Sequence, residues 1–136
     1  MSEVIKIANC SGFYGDNLSI AKKMVEGGPI DVLTGDYLAE LTMTILYNQK
    51  MKRGENLGYV GTFLKQFRDV AKLCNDQNIK IVSNAGGLNP ASMAAEVENI
   101  IKELNLDLKV GYIVGDELMP RLDELSSSGE KLKNID

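Results

Sequence analysis

Four short runs of β-branched and other apolar residues alternate with longer segments in which apolar residues recur every three or four positions. The short runs are typical of strands and the longer segments of amphipathic helices. The predicted strands span residues 4–8, 30–34, 80–83 and 108–114. The predicted helices span 37–52, 59–76, 90–104 and 117–125, after a first helix that begins at Asp16 and is stopped by Gly27-Gly28-Pro29. This alternation predicts an α/β fold, a Rossmann-like open and mostly parallel sheet of about four strands, with right-handed crossovers that place helices on both faces.

The length of the chain suits a single domain. Its 136 residues are enough to bury a substantial core. We expect one α/β domain over residues 1–125, followed by a polar tail or the start of a linker over residues 126–136, where serine, glycine and charged residues predominate.

The absence of histidine limits the chemistry that is open to this chain. It excludes imidazole as a general base, Ser-His and Cys-His dyads, and zinc sites that rely on imidazole. Cys10 and Cys74 have no metal-type or paired spacing, which argues against a disulfide framework. Any reaction must therefore use carboxylates, lysine, tyrosine, cysteine, backbone amides or a bound cofactor.

Net charge and hydropathy restrict which binding partners and which cellular compartment are expected. A net charge of −4 argues against a nucleic-acid binder, which needs a basic face. No apolar run approaches the ~20 residues that cross a bilayer, so no membrane association is expected. The sequence starts directly with a predicted strand and no leader pattern, from which we expect a cytoplasmic protein.

The loops after the predicted strands are the candidate site, because ligands of open α/β sheets bind at the carboxyl ends of the strands. These loops span residues 9–16, 34–37, 83–90 and 115–118, and all are rich in Gly, Asn, Ser or Asp. If the first and third strands are neighbours, the first and third loops face each other across a crevice. The candidate ligand-binding residues are Asn9, Ser11, Gly12, Tyr14, Thr34, Gly35, Ser83, Asn84, Gly86, Gly87, Asn89 and Asp116.

The Gly86-Gly87 turn before Pro90 has two interpretations. Its backbone amides at a helix start could bind a phosphate or a carboxylate. Alternatively, the glycines supply positive φ angles, with Asn89 as the helix N-cap and Pro90 as the first helical residue. If the turn binds a ligand, Gly87→Val should abolish binding and leave folding mostly intact.

Three aspartates, Asp16, Asp36 and Asp116, each follow a glycine and precede a predicted helix. Helix N-capping explains each of them without a function. Together they could instead hold Mg²⁺ through water or bind a substrate hydroxyl or amine. Asp16 and Asp36 are the candidates for proton transfer, and no set of direct metal ligands is predicted.

Four separated motifs make the chain resemble the N-terminal part of the acyclic terpene utilisation (AtuA-like) family. They are IANCSGFYGD (7–16), GGPIDVLTGDYLAELTM (27–43), IVSNAGGLNP (81–90) and GDELMPRLDEL (115–125). The resemblance implies a cytoplasmic protein of terpenoid or branched-acyl breakdown, a pathway rather than a reaction.

Two functions are compatible with this resemblance. The first is an enzyme, or the N-terminal domain of one, that binds a polar or anionic small molecule such as phosphate or a CoA-linked substrate. The second is a non-catalytic module that binds a ligand or assembles with a carboxylase or another subunit. The expected partners are a small-molecule ligand and either the remaining domains of the family protein or further copies of the chain.

Overall fold

The computed structural model describes residues 4–129. Within these residues, three strands and five α-helices follow each other in the order β1 (Ile7–Asn9), α1 (Ile20–Glu26), β2 (Val32–Gly35), α2 (Glu40–Arg53), α3 (Gly61–Asp76), β3 (Lys80–Ser83), α4 (Pro90–Glu103) and α5 (Leu122–Ser127), with a 3₁₀ turn at Met119–Arg121.

The strands form one parallel sheet in the order β1-β2-β3. Ala8 pairs with Leu33, which pairs with Ile81, so these three side chains lie on one face. The predicted α/β class and the open parallel sheet are confirmed, and the three described strands are close to the predicted four.

Helices α1 and α3 cover the face that carries Ala8, Leu33 and Ile81. Their buried side chains form one cluster with this face; they are Ala21, Val25, Val70 and Cys74. A second cluster joins α3 to α4 and to the loops, and its members include Phe63, Phe67, Val97 and Ile101. The sheet therefore lies against a helical layer whose apolar spacing is readable in the sequence.

The opposite face of the sheet is open. Register places Ile7 beside Val32, and Asn9 beside Thr34 and Val82. The exposed fractions of Ile7 and Val82 are 65% and 58%. The strand order follows the sequence order. When each connection in such a sheet is a right-handed crossover, all the connections lie on the same face. Covering both faces, as predicted, requires a reversal of strand order that the described sheet does not contain.

Two segments differ from the predictions. Residues 108–114 were predicted as a fourth strand, but they pair with no described strand. The last predicted helix, 117–125, is replaced by the 3₁₀ turn and α5. The predicted tail, 126–136, begins inside α5, and its residues 130–136 lie outside the described residues. Among residues 4–129, no helix has both the length and the apolar character needed to cross a bilayer.

Candidate functional site

The strand order corrects the predicted crevice. β2 lies between β1 and β3, so the loops that follow β1 and β3 are not direct neighbours. Both loops instead contact the segment that follows β2. The backbone N–H of Asp36 donates to the carbonyl of Ser11 over 2.9 Å, and the backbone N–H of Tyr37 donates to Asn84 Oδ1 over 2.9 Å. Asp36 and Tyr37 are thus the centre of the carboxyl edge.

Polar side chains from all three strand ends form a row along this edge, which we call the polar edge: Asn9, Thr34, Asp36 and Asn84. Thr34 Oγ1 donates to Asn9 Oδ1 over 3.2 Å. Asn84 Nδ2 donates to Asp36 Oδ1 over 2.7 Å. Because Asn9, Asp36 and Asn84 are exposed, their side chains can reach a ligand.

Three other predicted residues support the polar edge from beneath. Ser11 is buried, and its hydroxyl donates to the carbonyl of Phe13. Ser83 Oγ donates to the carbonyl of Gly35 over 3.1 Å and accepts from the backbone N–H of Ala85. A Cβ on Gly35 would lie 2.6 Å from the ring of Tyr37, so the glycine allows that ring to pack.

Asp16 stabilises its own loop. Its two carboxylate oxygens accept from the backbone N–H groups of Gly12 and Asn17, over 3.0 Å and 2.8 Å. Both bonds lower the pKa of Asp16, and the bond from Gly12 has the larger effect. The carboxylate therefore stays ionised near neutral pH, which does not favour Asp16 as a proton donor.

The N-cap interpretation of the three aspartates is wrong. Helix α1 has Ser19 at its N-cap position and α2 has Ala39. Asp116 is exposed and precedes the 3₁₀ turn by several residues. Within the described part of the chain, no three Asp, Glu, Cys or His side chains come together in a way that could hold a metal ion.

The Gly86-Gly87 turn packs against the protein. Gly87 has a φ of 53°, and a Cβ there would lie 2.5 Å from Leu46 Cδ1 and 2.8 Å from the carbonyl oxygen of Gly58. A Cβ on Gly86 would lie 2.8 Å from Pro90 Cβ. Valine at Gly87 should consequently disrupt the fold, contrary to the sequence-based expectation.

Three backbone donors of this turn already have partners within the protein. The N–H of Gly87 donates to the carbonyl of Asn84, that of Leu88 to Gly58, and that of Asn89 to Gly86. These three amides are not available to an anion. The packing interpretation of the turn is the one that the geometry favours.

Asn89 is the predicted N-cap of α4, and this prediction is confirmed. Its Oδ1 accepts from the backbone N–H of Ser92 over 3.2 Å. Its Nδ2 donates to the carbonyls of Glu55 and Leu57, over 2.9 Å and 3.2 Å. The side chain therefore joins the start of α4 to the connection between α2 and α3.

Tyr14 and Asp116 do not join the polar edge through any hydrogen bond between described residues. The hydroxyl of Tyr14 accepts from Gln49 Nε2 of α2 over 3.3 Å. Next to Asp116, Glu117 is 3.9 Å from Lys50 Nζ, which also donates to the carbonyl of Leu88. The first contact places Tyr14 against α2, and the second places Glu117, the neighbour of Asp116, beside the same helix.

A buried polar group beneath the polar edge was not predicted. Tyr37 Oη donates to Gln66 Oε1, and Cys10 Sγ lies 4.0 Å from the same hydroxyl. Burial is the main cause that raises the pKa values of both Tyr37 and Cys10, so both stay protonated. The one sequence signal for Gln66 is an amide on the apolar side of α3, between Phe63 and Phe67.

The comparisons with known proteins give one match. A model of the family described as acyclic terpene utilisation family protein AtuA matches residues 5–136, which confirms the resemblance. Comparison with curated proteins and with solved structures gave no match.

Proposed function

The chain belongs to the acyclic terpene utilisation family AtuA, and from that premise we propose that it binds the polar part of a small-molecule substrate at its polar edge. The observation that carries this proposal is the contact between Asn84 Nδ2 and Asp36 Oδ1, because it links side chains from different strand ends at the edge where α/β sheets bind ligands. A cytoplasmic location, as the resemblance implies, is part of the proposal.

The chemistry of the polar edge selects groups that donate hydrogen bonds. Asp36 is exposed, and its carboxylate oxygens can accept hydrogen bonds from hydroxyl, amide N–H or ammonium groups. Its negative charge, with that of Asp16 in the neighbouring loop, opposes a free phosphate. The pantetheine arm of an acyl-CoA carries both a hydroxyl and amide N–H groups and fits this edge. If the protein is an enzyme, we propose Asp36 as the proton acceptor.

The test is an amide NMR titration of the chain with coenzyme A, octanoyl-coenzyme A, inorganic phosphate and Mg²⁺, each alone. We expect coenzyme A and its acyl derivative to shift the amide signals of Asn9, Asp36 and Asn84. Phosphate alone shifting these signals would overturn the assignment of a donor-bearing ligand. No shift at the edge with any of the four would overturn the proposal that this edge is the binding site.

A second candidate function, assembly with a carboxylase or another subunit, is favoured by the open face of the sheet. Parallel sheets are normally covered on both faces, yet Ile7 and Val82 are mostly exposed. We propose that a further copy of the chain or a different subunit covers this face. Sedimentation of the chain with and without the change Ile7→Thr tests it, since a self-associating face predicts a smaller assembly for the variant, and an unchanged monomer excludes the homo-oligomer.

A further inference from the structure

A cavity among the described residues lies beside β3, and none of the four polar-edge residues lines it. It is a cleft of about 500 Å³ between the free edge of β3 and residues 107–112, and we call it the β3 cleft. Its floor includes Phe63, Phe67, Val97 and Ile101, all of which are buried in the core. The proposed function uses the polar edge and gives no role to this apolar cleft.

One wall of the β3 cleft is an unpaired strand edge. β3 is the last strand of the described sheet. The N–H of Lys80 donates to the carbonyl of Asp31 on the β2 side over 3.0 Å. Because alternate residues of a parallel strand bond to the same neighbour, Ile81 and Ser83 turn their backbone N–H and C=O groups toward the cleft.

The opposite wall, residues 107–112, is a segment whose backbone makes no hydrogen bond to any other described residue. Leu108 and Val110 pack against the core in alternation with the exposed Lys109 and Gly111, which is the side-chain pattern of a strand. Backbone donors and acceptors therefore line both sides of one apolar cleft.

From this arrangement we propose that the β3 cleft binds an extended segment of a partner protein, with apolar side chains at alternate positions, as an added strand. One residue of a strand in a packed sheet takes up roughly 160 Å³, from its rise, the spacing of strands and the spacing of layers. The cleft has room for about three such residues, which is close to the length of β3. Main-chain hydrogen bonds would provide affinity and the floor would select apolar side chains, as in other cases of strand addition.

A small apolar molecule fits the cleft less well than a peptide. It would cover the backbone groups of Ile81 and Ser83 without pairing them, and burying an unpaired amide is costly. The charged residues of the lining are Lys80, Lys109 and Asp107, with a net positive charge. A segment with acidic residues at its outward positions therefore suits the cleft.

The experiment uses a short peptide of alternating valine and glutamate, with hydrogen exchange of individual amides as the readout. At ten times its dissociation constant the peptide should slow exchange at Ile81 and Ser83 about tenfold. Exchange at Lys80 and Val82, which already pair with β2, should stay unchanged. The same peptide N-methylated at alternate residues is the matched control, and it should give no protection.

Two results would overturn the proposal. One is the absence of protection at Ile81 and Ser83, or equal protection by the N-methylated peptide or by octanoate. The other is protection that rises with protein concentration without peptide, since that identifies a second copy as the occupant. The variant Ile81→Pro, which removes one cleft-facing donor and leaves the β2 pairing of Lys80 and Val82, should lose the effect. The peptide control decides the question even if this variant fails to fold. The readout residues differ from Asn9, Asp36 and Asn84, so failure here leaves the polar edge untested and unaffected.

Discussion

The close packing of the Gly87 turn makes a quantitative prediction for Gly87→Ala. The backbone there has a φ of 53°, a left-handed conformation that costs an alanine about 1–2 kcal/mol. The new Cβ would also lie 2.5 Å from Leu46 Cδ1 and 2.8 Å from the carbonyl oxygen of Gly58. That carbonyl cannot easily move away, because it accepts from the N–H of Leu88 over 2.8 Å.

Overpacking of this kind typically costs a further 1–3 kcal/mol, which gives a total of about 2–5 kcal/mol. For a chain of this length, each kcal/mol corresponds to a change of about 3–5 °C in melting temperature. We therefore expect Gly87→Ala to lower the melting temperature by at least about 6 °C.

The assay is thermal and urea denaturation followed by circular dichroism, with Gly61→Ala as the matched control. Gly61 begins α3, and a Cβ there meets nothing within 4 Å. Alanine in a helix is favoured over glycine by about 1 kcal/mol, so the control should be as stable as wild type or slightly more stable. If Gly87→Ala melts within about 2 °C of wild type, the packing role of the turn is refuted.

Three further changes test other parts of the structure. Tyr37→Phe leaves the buried Gln66 Oε1 without its donor and should lower the free energy of urea unfolding by about 1–3 kcal/mol. Adding Gln66→Met to this variant should largely recover the loss, because the unpaired amide is then removed. Equal losses in the single and the double variant would contradict the pairing of Tyr37 with Gln66. Asn89→Ala removes a helix cap and two hydrogen bonds to the carbonyls of Glu55 and Leu57, and should lower the free energy of urea unfolding by about 2 kcal/mol. Asn89→Ser should recover only the part that belongs to the cap. Full recovery by serine would show that the two bonds contribute nothing to stability. Burial, and to a lesser extent Cys10, raises the pKa of Cys74 to about 11, so the contribution of the protonated thiol to the free energy of unfolding is complete below pH ~8.5, the ordinary thiol pKa, and is lost as pH rises toward 11. By pH ~10 the free energy of unfolding of wild type should fall by about 1–2 kcal/mol relative to that of Cys74→Ala. Parallel pH profiles of the two proteins would contradict this.

The sequence predicts those features of the fold that depend on neighbouring residues. The spacing of Phe63, Phe67, Val70 and Cys74 predicts α3 within two residues of its observed start. Asn89 before a proline predicts the start of α4, and the bond to the N–H of Ser92 confirms it. These patterns are local, because helix periodicity and capping involve residues a few positions apart.

Features that depend on distant residues were not predictable in the same way. The packing of Gly87 depends on Leu46 and Gly58, which no pattern in the loop itself reveals. The alternation in residues 108–114 agrees with an extended segment whose Leu108 and Val110 face the core, but it cannot say whether a neighbouring strand is there to pair with. Strand order is non-local for the same reason, so the crevice expected between the first and third strands was misplaced.

The sequence predicted which residues lie at the candidate site better than it predicted how they are arranged there. The rule that strand ends bind ligands selected Asn9, Thr34, Asp36 and Asn84, which the structure places along one edge. The same rule also selected Gly86 and Asn89, whose contacts in the structure are with Pro90 and with residues 55–57 and 92. Residue type alone cannot separate these two groups, because glycine and asparagine serve turns and ligands alike.

The measurement that tests the polar edge most directly compares Asp36→Asn with Asp31→Asn. The two aspartates flank opposite ends of β2, and each accepts a short hydrogen bond that asparagine can keep, Asp36 from Asn84 and Asp31 from the N–H of Lys6. A coenzyme A concentration of 100 times its dissociation constant should stabilise wild type by about 2.7 kcal/mol. We predict that Asp31→Asn keeps this rise in melting temperature and that Asp36→Asn loses most of it. Equal rises in the two variants, or none in wild type, would contradict the claim that the polar edge is the binding site.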